Sequence, residues 1–102
     1  MLKLFVFAPK DKTDEIIDAM SKAGAGNIGN YSQCAFITPG EGNWKSEEGS
    51  TPTIGEVGKV SREPENKIEM ICTEEKLEDV LKAVRSSHPY ETPQVDILKL
   101  YE

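Results

Sequence analysis

The chain is poor in the residues that most often carry chemistry: it holds one histidine, one tryptophan and two cysteines. There is no paired Asp–His spacing, no nucleophile elbow and no phosphate loop, so the common templates for catalysis find no footing. Tyr90 and Glu91 could serve as acid and base only with a partner to complete the site. Cys34 and Cys72 lie 38 positions apart, without a C-x-x-C pair. That favours two reduced, buried thiols over a disulfide, and a cytoplasmic setting. Basic stripes are absent too. A formal net charge of −6 argues against nucleic acid and fits solubility or an affinity for cations. The N-terminal apolar run, Leu2 to Ala8, is too short to span a membrane and has no small-residue cleavage site after it.

What is there is the make-up of one folded domain, residues 1–102. Charged residues are 29% and apolar residues 37%, enough for a core of two packed layers. Leu2 to Ala8 reads as a strand stopped by Pro9. From Phe5 to Ala8 its residues are apolar on both faces of the pleat, as expected of a central strand. Asp11 or Thr13 can cap the next helix, in which Ile16, Ala19, Met20 and Ala23 form one apolar stripe. Gly24 ends it. Tyr31 to Thr38 reads as a second strand, closed by Pro39-Gly40. Residues 39–66 follow as a long loop with five of the eight glycines and Trp44; loops of that length are usually functional. Ile54, Val57 and Val60 suggest short strand pieces in it. Lys67 to Cys72 is the third strand, with Ile68, Met70 and Cys72 on one face. Thr73 caps the second helix, striped by Leu77, Val80, Leu81 and Val84. Val95 to Tyr101 is the last strand. The order β-α-β-β-α-β predicts an α+β, ferredoxin-like fold: a four-stranded antiparallel sheet with two helices on one face. Helices on one side leave the other sheet face open, which predicts a homo-oligomer.

Between the second helix and the last strand stands His88-Pro89-Tyr90-Glu91-Thr92-Pro93. Pro89 pushes His88 out of helical geometry, and Pro93 sets the entry to the strand. His88, Glu91, Cys34 and Cys72 are the only set for a soft or divalent metal, although a histidine before proline often just satisfies a backbone carbonyl. Trp44 could stack on a ligand or anchor its own loop. Ser50-Thr51-Pro52-Thr53 offers hydroxyls and amides to an anion. Gly24-Ala25-Gly26-Asn27-Ile28-Gly29 has the letters of a dinucleotide fingerprint, yet it closes a helix instead of opening one and reads as a cap and turn.

Three separated motifs carry a family resemblance: Gly24 to Cys34, Glu48 to Gly58, and His88 to Pro93 with Val95-Asp96. Together they resemble the small inserted domain of the NGG-one-interacting-factor-like proteins (the YqfO group), hexameric proteins with a dinuclear metal site. The His-Pro-Tyr-Glu corner is also similar to that of the CutA divalent-cation-tolerance proteins, in the group that includes the PII signalling proteins. The resemblance implies a stand-alone CutA/PII-like domain, with trimers favoured. The metal ligands of the longer proteins sit in a surrounding domain, so no hydrolase or cyclohydrolase activity is carried over. For His88, Tyr90 and Glu91 it implies a role near a subunit interface or in cation binding. The expectation is therefore a non-enzymatic, oligomeric binding or regulatory module for a small ligand or partner protein, with His88, Tyr90, Glu91 and Trp44 at the site. The alternative is a metal-binding protein.

Overall fold

A computed structural model describes residues 1–101. Four strands and two helices follow one another as β1 (Leu2–Pro9), α1 (Thr13–Lys22), β2 (Phe36–Lys45), β3 (Val60–Cys72), α2 (Leu77–Ser87) and β4 (Val95–Lys99), with a short 3-10 turn before each helix. All neighbours pair antiparallel, in the order β2-β3-β1-β4. This is the ferredoxin-like sheet expected from the pattern.

Alternation along β1 decides where the core sits. Leu2, Leu4, Val6 and Ala8 are buried, while Lys3, Phe5 and Phe7 are half-buried on the opposite face. Cross-strand register places Met70 and Ile97 beside Leu4, and Ile68 and Val95 beside Val6. Ile16, Ile17 and Met20 of α1 and Val80 and Val84 of α2 complete the cluster, with Leu77 and Leu81 packed at its margin. Each such side chain contributes about 1.5–3 kcal/mol on burial. The α1 stripe is shifted from expectation: Ile17 is in the core, whereas Ala19 and Ala23 are half-buried.

Neither expected side-chain cap forms. The residue before α1 is Lys12 and the residue before α2 is Lys76, because a 3-10 turn precedes each helix. Thr13 instead donates its hydroxyl to the Pro9 carbonyl and accepts from Asn66. Thr73 uses its backbone carbonyl, not its hydroxyl, to accept from Lys76. At the far end of α1, Gly24 takes φ +117°, and the Ala25 amide returns to the Met20 carbonyl, the left-handed stop the glycine was expected to supply.

The main departure concerns residues 39–66. Their two ends, 39–45 and 60–66, are strand and not loop. β2 starts at Phe36 and runs through Pro39-Gly40 to Lys45, and β3 starts at Val60. Only residues 46–59 connect them. The chain is stretched to 46 Å along its long axis, because this hairpin continues past the end of β1, whose last partner on β3 is Glu65. Proline is tolerated because β2 is an edge strand, and beyond Glu65 the ribbon has an open second edge where Pro64 sits. Cys34, expected inside the second strand, lies before it.

The open sheet face is mixed, not uniformly apolar. Leu98, Lys3 and Ile71 form one row across it, and Asp96, Phe5, Glu69 and Phe36 the next. Lys67 lies over the Phe5 ring at 5.7 Å, and both Lys3 and Lys67 approach Glu69. Phe36 and Leu98 are nevertheless 68% and 53% exposed.

Candidate ligand-binding cleft

Where β4 stops pairing, β1 has a carbonyl to spare, and the His-Pro corner supplies its partner. His88 is buried, and its Nε2–H donates to the Phe7 carbonyl at 2.8 Å. Its Nδ1 accepts from the Tyr90 amide at 3.1 Å. Both ring nitrogens are therefore engaged by backbone, which specifies the Nε2–H tautomer. His88 is a clamp between α2 and the end of β1.

The clamp aims Tyr90 across the open face. Its ring lies 4.9 Å from the His88 ring and 5.5 Å from that of Trp44, tilted by 51° to the indole. Its hydroxyl donates to Glu65 Oε2 at 2.8 Å. Burial, then the hydrogen bond to Glu65 and the charges of Glu65, Glu63 and Asp11, hold the phenol above its usual pKa range. Glu65 has room only because residue 42 is glycine: a Cβ there would collide with its carboxylate. Strand parity puts Phe7, Gly42, Trp44 and Glu65 on the same face.

The connection 46–59 closes the third side. The Thr51 amide donates to Glu91 Oε1 at 2.8 Å, and the Thr53 hydroxyl to the Pro89 carbonyl at 2.7 Å. Ser46, nearly buried, accepts from the Gly58 amide and pins the base of the loop. The result is a cleft of about 630 Å³ walled by Phe7, Trp44, Ile54 and Tyr90, with Glu65 and Glu91 among its polar groups. That volume lies in the range of small-molecule sites.

Of the expected ligand-binding residues, Trp44, Tyr90 and Glu91 line this cleft, and His88 lies behind it as their support. The expected metal set does not assemble within one chain. Cys72 pairs with Leu2, and Cys34 bonds to Gly26, whose amide reaches Ile71. His88 meets β1 at Phe7, about 17 Å of strand away from that end. Among the described residues no three His, Cys, Asp or Glu side chains converge as metal ligands. Both thiols are free; Cys72 is buried and Cys34 only half-buried. Burial pushes the Cys72 thiol up, partly opposed by the N-terminal ammonium. Glu65 was missed in the sequence. Its signal was faint: one acidic residue after Pro64, in a stretch with no apolar alternation. The Thr51 amide and the Thr53 hydroxyl are engaged by the corner of their own chain.

A fold with these features has known counterparts. No family model matches the chain. It is 46% identical over 100 residues to the GTP cyclohydrolase 1 type 2 homolog of Halalkalibacterium halodurans, covering 98% of this chain and 27% of that protein. It superposes on the Bacillus cereus protein related to NIF3 with a TM-score of 0.85 and 36% identity, over 99% of this chain and 26% of the other. The chain is homologous to one segment of the NIF3-type proteins. It spans about a quarter of the length of the curated relatives it matches. The divalent cation tolerance protein CutA of Archaeoglobus fulgidus shares the fold at a TM-score of 0.71 and 18% identity, over 100% of this chain and 86% of that one. The NIF3-type segment and CutA thus share one backbone plan. Among the described residues no helix is long and apolar enough to cross a membrane.

Proposed function

We propose that this chain is a non-catalytic, oligomeric binding module whose small ligand occupies the cleft beside the His-Pro-Tyr-Glu corner. One observation carries the reading. Residues from β2, from the 46–59 connection and from the α2–β4 corner converge on one cavity, cross-linked by the Thr51–Glu91 and Thr53–Pro89 hydrogen bonds. An aromatic pair and a half-buried carboxylate stand in its wall. A cavity tied together from three segments is built to hold a shape, which is what recognition needs. The same residues make a poor reaction centre. The one imidazole is committed at both nitrogens, and the phenol is held in its protonated form. The relatives named as cyclohydrolase homologs are about four times as long, so that chemistry is not assigned to this segment.

A homo-oligomer, a trimer in the first instance, fits the open sheet face, where exposed Phe36 and Leu98 alternate with paired charges. Native mass spectrometry of the protein drawn gently from its own cells tests both points. The expected spectrum is a closed oligomer carrying a small-molecule adduct that is lost in Trp44→Ala. A bare oligomer identical in wild type and variant would refute the ligand role, and a monomer would refute the assembly.

A further inference from the structure

The chemical class of the ligand follows from the walls, on the reading that the cleft is the binding site. Four glutamates border it, Glu41, Glu47, Glu65 and Glu91, and one lysine, Lys45. The four are not equivalent. Glu41 alternates with Gly42 and so falls on the opposite face of the hairpin, and both Glu41 and Glu47 are exposed and within 4.0 Å of Arg62 and Lys45 respectively. Charges so placed are screened and count for little. Glu65 is half-buried, and only its Oε2 has a protein partner among the described residues. The Tyr90 hydroxyl polarises this carboxylate but does not neutralise it. The negative field reaches the phenol itself, since Glu65, Glu63 and Asp11 all act to keep its proton on. Beside this charge stand Trp44 and Tyr90, two electron-rich rings meeting at 51°. Phe7, Pro52 and Ile54 add apolar surface. An aromatic corner next to an unneutralised carboxylate attracts an ammonium group on both counts, through the ring quadrupole and through the charge. A nucleoside triphosphate would meet repulsion from both.

We infer that the cleft takes an organic cation, an ammonium group carried on an apolar body, seated against Trp44 and Tyr90 with Glu65 as its counter-charge. The segment would then discriminate by charge, and phosphorylated nucleotides would be excluded from this cleft.

Trp44 is the only tryptophan in the chain, so its emission reports the cleft directly. The experiment titrates the oligomeric protein with choline, with its uncharged carbon isostere 3,3-dimethylbutan-1-ol, and with GTP. Choline should change the emission saturably, and the other two should not. Glu65→Gln retains an acceptor for the Tyr90 hydroxyl and removes the charge. It should weaken choline binding about tenfold or more, with circular dichroism unchanged. Glu48→Gln, outside the cleft, should bind as the wild type does. Binding of the isostere as strong as that of choline, or preference for GTP, would overturn the cation assignment while leaving the cleft a ligand site. Competition by magnesium or zinc at the affinity of choline would overturn it in favour of a metal. No emission change with choline would overturn it too. In that case a cellular adduct lost in Trp44→Ala would show that the ligand class failed and the site did not.

Discussion

Replacing His88 with alanine separates a structural clamp from a metal ligand. His88 is 6% exposed, and its imidazole makes two backbone hydrogen bonds, to the Phe7 carbonyl and from the Tyr90 amide. Without it, the Phe7 carbonyl loses its partner at a buried strand end, which costs about 1–3 kcal/mol. The Tyr90 amide borders the cleft and can regain water, so its loss is smaller. Adding the missing ring volume, the expected destabilisation is about 2–4 kcal/mol. For a domain of this size that lowers the melting midpoint by roughly 10–20 °C. Urea unfolding at fixed protein concentration is the assay, since assembly contributes to apparent stability. His88→Gln, whose amide can still donate to Phe7, should recover part of the loss. A destabilisation below about 1 kcal/mol, or the same loss in both variants, would refute the clamp. A metal-ligand role predicts the reverse pattern: loss of zinc affinity with little change in folding.

Other consequences are equally direct. Gly42→Ala should displace Glu65 from the Tyr90 hydroxyl and lower stability by about 1–3 kcal/mol, the cost of a charge-assisted bond; it would also blunt the cleft, and urea unfolding with Trp44 emission reads both. The Tyr90 phenol is raised above its ordinary value of 10.0. The folded state therefore holds its proton more tightly, a stabilisation complete below that pH and lost as pH rises through the folded value. Unfolding measured above pH 10 should show this decline in the wild type and less of it in Tyr90→Phe. With a thiol reagent under native conditions, half-buried Cys34 should react promptly and Cys72 only on unfolding; two fast thiols would contradict the burial of Cys72.

How much of this was legible in the sequence depends on where apolar residues lie. β1, both helices and the inner half of β3 announce themselves because Leu4, Val6, Ile68, Met70, Val80 and Val84 fall at the spacing their elements require. The outer half of the β2–β3 hairpin does not. Residues 60–66 carry one apolar side chain, and Pro39, Gly40, Gly42 and Pro64 read as breakers. They are accommodated by an edge strand and an open ribbon, a tertiary circumstance invisible from a local pattern. The same holds for the site. Trp44, Tyr90 and Glu91 stood out as chemistry without a partner, but nothing local joined them. Their convergence depends on the hairpin overshooting β1, the feature the breakers concealed. His88 drew attention as a ligand, yet its position before Pro89 already suggested the carbonyl partner that it finds in Phe7.

Chemical-shift mapping puts the cleft to the most direct test. Amide and indole signals of the isotopically labelled protein would be followed as the small-molecule fraction of a cell extract is added. Shifts should cluster at the Trp44 indole, Thr51, Thr53, Glu65 and Tyr90, and should vanish in Glu65→Gln. Shifts confined to the open sheet face around Phe5, Phe36 and Leu98, with the cleft silent, would contradict the assignment of this cavity as the binding site.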